Sequence, residues 1–248
     1  MTTATETRPA DLTLPVGSML DWMRVLQFGD STLPTGAFSF SHGLESAIER
    51  GVVCDADTLQ DFVLTAIEQS ASGDAIALLV AYRAAVQSDL AGALQADQHL
   101  FNRKLNEETR AMTVRTGKKL IELAERVIGD DARTELLSIW RSQVARGLTP
   151  GSYPVCLAVI FAELKLPEHA CFLVHQYSVA MAILSSALRL MKVDHFDTQR
   201  ILFRLNGQIE RAYRLQAHKT LDDMATFAPV VDLLAAIHVK AHVRLFMN

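Results

Sequence analysis

The residues best suited to chemistry sit in one short segment, GDSTLPTGAFSFSHGLESAIERG, Gly29 to Gly51. Ser31, Thr32, Thr35, Ser39, Ser41 and His42 stand there among glycines and two phenylalanines. A serine nucleophile would need a neighbouring base, and a nucleophile elbow would need G-x-S-x-G on a strand-to-helix turn. The spacing here is instead G-x-x-S-x-S-x-G, with no strand pattern before it. Ser41 and His42 are sequence neighbours, which point apart on a helix. The segment therefore reads as a shaped turn entering a helix over Gly43–Glu49. Ser39 or Ser41 caps that helix, Pro34 and Gly36 shape the turn, and Phe38 and Phe40 anchor it.

Metal chemistry has one candidate. His238 and His242, in HVKAH, have the i,i+4 spacing that puts two imidazoles on one helix face. Val239 stands where a zinc protease has its glutamate base, so that mechanism is absent. The pair reads either as a two-histidine surface site for a transition metal or as half-buried histidines edging an apolar stripe. Cys54, Cys156 and Cys171 have no CxxC spacing and imply neither a zinc framework nor a disulfide scaffold. A reducing cytoplasm is the simplest home for them. No Walker or Rossmann glycine pattern is present. Arg115, Lys118 and Lys119 lie beside Glu122 and Glu125 and read as a solvated, ion-paired helix face.

The elements that must position these groups are helical almost throughout. Leu59, Phe62, Val63, Ala66 and Ile67 repeat at helical spacing behind Asp57 as a candidate cap. Leu120 to Ile128 form a second stripe stopped by Gly129. Asp130 or Asp131 can cap a third, through Leu136, Leu137, Trp140 and Val144, ending near Gly147. Asp197 can open a helix through Ile201, Leu205 and Ile209, and a last helix starts near Pro229 with Val230, Leu233, Ile237, Ala241 and Leu245 on one face. Period-2 runs and hairpin turns are absent. The expected fold class is all-α, a single compact bundle of about ten or more helices over residues 17–248, after a flexible tail at 1–16. The window Ala170–Leu190 approaches membrane-spanning length, but His175, Gln176 and three serines interrupt it, so it reads as a central core helix rather than a membrane span. A net charge of −4 gives no field favouring nucleic acid. Thr35–Glu45 and Pro150–Ile160 can be laid side by side, Gly36 on Gly151, Phe38 on Tyr153 and Gly43 on Ala158. A duplicated bundle would explain the echo, and so would chance.

Read as longer patterns, these segments resemble a known family. LQFGDSTLPTGAFSFSHGLESAIERG is similar to the N-terminal signature of the urease accessory protein F (UreF) family through Asp30, Ser31, Leu33, Pro34, Gly36, Phe38, Ser41, Gly43, Leu44, Glu45 and Gly51. NEETRAMTVRTGKKL resembles its E-x-R-x-x-[ST]-x-x-x-G-x-x-L stretch through Glu108, Arg110, Thr113, Gly117 and Leu120. SYPVCLAV, SSALRLMKVDHFDTQ (Arg189, Gln199) and HVKAHVRLFMN (His238, Arg244, Leu245, Phe246) follow in order. Ala158, Asp194, His195 and Val239 depart from the pattern.

The resemblance implies an all-helical, non-enzymatic, dimeric chaperone. It would join the accessory D/H protein to the G-type GTPase in the complex that inserts nickel into the urease apoprotein, and influence GTP hydrolysis. Nickel would be handled by the complex, with no metal or other cofactor held tightly by this chain, and neither nucleic acid nor membrane as a partner. A stand-alone nickel carrier using His238 and His242 is the alternative. The partner-contact candidates are Glu45, Arg110, Lys118, His238, Arg244, Leu245 and Phe246. Glu45, free to make a polar contact, or Arg110 faces the GTPase. Arg244, Leu245 and Phe246 offer the cation-and-anchor composition of an interface hot spot toward the D/H protein.

Overall fold

A computed structural model describes residues 17–36, 40–129 and 135–225. Among them are ten α-helices, a one-turn 3-10 helix at Leu221–Asp223 and no strand. The helices are α1 (Met19–Gly29), α2 (Leu44–Glu49), α3 (Ala56–Ser72), α4 (Asp74–Val86), α5 (Leu90–Arg103), α6 (Glu107–Ile128), α7 (Glu135–Ala145), α8 (Tyr153–Glu163), α9 (Glu168–Leu190) and α10 (His195–Gln216). The all-α expectation holds. The 1–16 tail and the helix expected from Pro229 lie outside the described residues.

The apolar pattern decides the layering. α8 is buried on every side from Pro154 to Phe161, because YPVCLAVIFAE has no polar face to present to water. The alanine-rich α4 packs against it at close range, and α5 backs α4. α6 and α7 cover α8 from another side, while α9 runs past α3, α4 and α8 and carries α1 and α10 on its flanks. Within α9 only Leu173 and Arg189 are exposed, which fits the reading of Ala170–Leu190 as a core helix. Two stretches are apolar and long enough to cross a membrane, Ala56–Val86 and Glu168–Leu190, and more than half of each window is buried inside this chain. The first is α3 and α4 together, broken at Gly73. Arg83 clamps three helix ends. Its Nε and Nη2 donate to Glu168 at 2.8 and 2.9 Å, Nη2 also donates to the Ala217 carbonyl at 2.6 Å, and Tyr213 donates to the same carboxylate at 3.0 Å.

Three caps differ from the sequence reading. Asp55, not Asp57, caps α3: its carboxylate accepts from the Thr58 N–H at 2.9 Å, and the Thr58 hydroxyl accepts from the Asp55 N–H at 3.1 Å. Asp194, not Asp197, caps α10, and Asp197 reaches back as its capping-box partner. No side chain caps α2. Gly43 in the left-handed region (φ 81) holds that position, and Ser41 instead lies buried with its hydroxyl unpartnered. Ser39 lies outside the described residues. In each case a competing carboxylate or glycine stood within three residues of the expected cap.

The loop entering α8 is held from two sides. Asp97 on α5 is fully buried and accepts from Thr149 Oγ1 (2.5 Å), the Gly151 N–H (2.7 Å), the Ser152 N–H (3.0 Å) and Ser152 Oγ. A carboxylate from another helix thus takes the capping place at the positive end of α8. On the other side, α6 reaches the loop through Gly117 and Thr113, whose hydroxyl accepts from the Tyr153 N–H at 3.3 Å. A Cβ on Gly117 would stand 2.2 Å from the Gly151 carbonyl oxygen and 2.7 Å from the Tyr153 nitrogen. Those are backbone atoms, so Gly117→Ala should cost about 1–3 kcal/mol of overpacking. This outweighs the gain of up to about 1 kcal/mol from replacing glycine within a helix. A urea midpoint unchanged or raised in the variant would show that the loop slides freely.

The internal echo agrees at one position and breaks at another. Gly36 (φ 82) and Gly151 (φ 76) share a left-handed turn, whereas Gly43 precedes α2 and Ala158 lies inside α8.

Candidate partner-docking surface

The signature turn is built by its own side chains. Asp30 accepts from the Thr32 N–H (2.8 Å) and hydroxyl (2.9 Å), bonds that hold its carboxyl below the usual range, and the Leu33 N–H donates to the Asp30 carbonyl at 3.0 Å. Gly36 then turns the chain. Past the three residues outside the description, Phe40 is buried, and the Leu44 N–H donates to the Ser41 carbonyl at 3.0 Å. His42 (φ 52) and Gly43 are consecutive left-handed residues, a conformation costly for a side chain with a Cβ. Ser41 Oγ makes no hydrogen bond, so the contact that a Ser/His nucleophile requires is not formed.

Beneath this turn lies a cavity of about 400 Å³ whose walls include His42, Ser70, Asp74, Lys104, Tyr153 and His175. Lys104 Nζ lies 2.5 Å from Asp74. His175 Nδ1 is 3.5 Å from Ser70 Oγ and 3.4 Å from Gln176 Nε2. Burial pushes both imidazoles down to about 4; the Lys104 cation adds to this and Asp74 opposes it. Both histidines are thus neutral at pH 7. Burial likewise raises the Tyr153 phenol and the Cys156 and Cys171 thiols, so none supplies an anion near neutrality. Among the described residues no three His, Cys, Asp or Glu side chains converge as a metal site.

On the outside, the same turn borders a groove of about 990 Å³. One wall is Pro34, Thr35, Gly36 and Phe101. The floor is a single face of α6 from Glu107 to Glu122, carrying Arg110, Ala111, Val114, Arg115, Lys118 and Lys119. Arg110 stands 5.9 Å from the Phe101 ring centre, and its Nη2 lies 3.5 Å from the Leu105 carbonyl. Lys119 pairs with Glu122 at 3.2 Å, and Glu122 also meets Arg126 at 2.7 Å. Lys118 is exposed and pairs with no described carboxylate. The reading of this face as solvated and ion-paired therefore holds in full for Lys119, while Lys118 is solvated without a described ion pair.

The sequence-expected site residues fall into three groups. Arg110 and Lys118 share the groove. Glu45 does not line that groove: it is only 6% exposed, within the buried run Leu44 to Ala47 of α2. His238, Arg244, Leu245 and Phe246 lie outside the described residues, as does His242.

Comparison with known proteins decides what this arrangement belongs to. Residues 53–206 match the family model UreF. The chain is 50% identical over 228 residues to the urease accessory protein UreF of Yersinia enterocolitica serotype O:8, covering 92% of this chain and 98% of that protein. The proteins of the same description from Yersinia pestis strain Pestoides F and Yersinia pseudotuberculosis serotype IB are equally similar over the same share. The chain belongs to the UreF family. Its place is among urease accessory proteins. The UreF motif residues acquire physical reasons in this structure: Thr113 and Gly117 seat the loop before the Tyr-Pro-Val segment, and Gly36, Gly43 and Gly51 take left-handed conformations.

Sequence reading missed Asp97, whose partners lie 52 to 55 residues away and leave no local signal. It also missed the company of Asp74, Lys104 and His175. The α6 groove had a usable signal, because the residues at 107, 110, 111, 114, 115, 118, 119 and 122 recur at helical spacing.

Proposed function

We propose that this chain is a non-enzymatic scaffold of urease maturation. It joins the accessory D/H protein and the G-type GTPase, as a dimer in the cytoplasm, in the complex that loads nickel into the urease apoprotein. Nickel is the cargo of that complex rather than a cofactor of this chain. The observation carrying the reading is near-complete coverage of UreF relatives at 50% identity. The open groove on α6 agrees with a protein that works by its surface. The GTPase meets the Arg110 side, where it can bias GTP hydrolysis, and the C-terminal Arg244, Leu245 and Phe246 meet the D/H protein.

The test is co-purification of the tagged chain with both partners. The full chain should recover both. Deleting Arg244–Asn248 should lose the D/H protein and keep the GTPase. Recovery of neither partner by the full chain would contradict the scaffold reading, and undiminished D/H recovery after the deletion would remove the C-terminal contact.

A further inference from the structure

The α6 groove combines three properties that single out one kind of occupant. Its floor is one continuous helix face from Glu107 to Glu122, about 22 Å long at 1.5 Å per residue. The middle of that face is apolar and small, Ala111 and Val114, so another backbone can come close. Among the described residues lining it stand four cations, Arg110, Arg115, Lys118 and Lys119, against two carboxylates, Glu107 and Glu122. This local excess of positive charge lies on a chain whose net charge is −4. Glu122 is already engaged by Lys119 and Arg126, and Lys118, exposed and paired with no described carboxylate, is the cation placed to meet a partner's charge, beside Arg110.

We infer that this groove receives an acidic amphipathic helix of a partner protein, laid along α6 for about four turns. Its apolar stripe rests on Ala111, Val114 and Phe101, and its carboxylates meet Lys118 and Arg110. Helix-in-groove recognition uses apolar anchors at helical spacing, and flanking charge sets the partner's sign. The inference rests on the scaffold reading only in taking the occupant to be a protein.

The test uses the purified full chain and a fluorescein-labelled synthetic helix of about four turns, with leucines on one face and glutamates flanking them. The same peptide with lysines for glutamates is the control. Anisotropy at about 50 mM salt should show binding of the acidic peptide alone, weakened by raising salt to about 300 mM. Lys118→Glu should weaken it about tenfold or more, because a repulsive charge replaces an attractive one. Ala111→Trp should block it by bulk. Both changes are at exposed positions, so unfolding midpoints should stay at the wild-type value. No binding of the acidic peptide, equal binding by both variants, or preferential binding of a single-stranded oligonucleotide with the same Lys118 dependence would each overturn the inference. Loss of partner co-purification with peptide binding intact would count against the scaffold reading alone.

Discussion

Asp97→Ala should lower the stability of the chain by roughly 4 kcal/mol, since each buried donor left unpaired costs about 1–3 kcal/mol and the site partly relaxes. Four donors converge on this carboxylate, from Thr149, Gly151 and Ser152. Ser152 occupies the N-cap position of α8 but gives its hydroxyl to Asp97 instead of capping the helix. Removing the carboxylate therefore strips the α8 entry of its cap and of a negative charge at the positive helix end. For a domain of this size the loss corresponds to roughly 8–16 °C in melting temperature. Asp97→Asn keeps the volume and one acceptor oxygen, so it should fall between wild type and alanine. Thermal unfolding of the three proteins provides the check. A loss below about 1 kcal/mol for alanine would mean that water or loop movement replaces the carboxylate.

The second large effect is on acid stability. His175, 2% exposed, titrates at about 4 in the folded chain against 6.5 when unperturbed, and His42 is lowered to about the same value. The unfolded chain therefore binds more protons between about pH 4 and 6.5, and acid favours it. The stability contributed by keeping these imidazoles neutral is complete above pH 6.5. It is lost as pH falls through this window, and the loss levels off below about 4. At 1.36 kcal/mol per pKa unit, His175 accounts for roughly 3 kcal/mol across the window, of which about 2 lies between pH 7 and 5. His42, lowered to about the same value, titrates in the same window and adds a loss of the same sign. Urea unfolding at about pH 7 and pH 5 should show this loss in the wild type and a shallower one in His175→Gln. Equal slopes in both proteins would show that another group governs the acid response.

The fold was legible because its signals are local. The stripes of α3, α6, α7 and α10 repeat at helical spacing, and Gly129 ends α6 where a left-handed residue is needed. Caps were harder. Asp55 and Asp57, or Asp194 and Asp197, are chemically alike and only two or three residues apart, so spacing alone cannot say which one reaches the N–H. The site was legible only where it lies on one helix. Arg110 and Lys118 share the α6 face by periodicity. The burial of Glu45 was not legible, because it depends on how α2 packs, a tertiary fact that no local pattern encodes. The cavity beneath the turn gathers His42, Asp74, Lys104 and His175 from four distant parts of the chain, and the Asp97 cap joins α5 to the α8 loop. Such juxtapositions exist only once the helices have packed.

The central claim is that this chain serves urease maturation by presenting a surface. The most direct measurement is urease activity in cells that carry a urease operon lacking its UreF gene, grown with nickel and supplied with this chain. Restored, nickel-dependent urea hydrolysis is the predicted result. Folded chain that accumulates in those cells alongside the other accessory proteins, with urease still inactive, would contradict it.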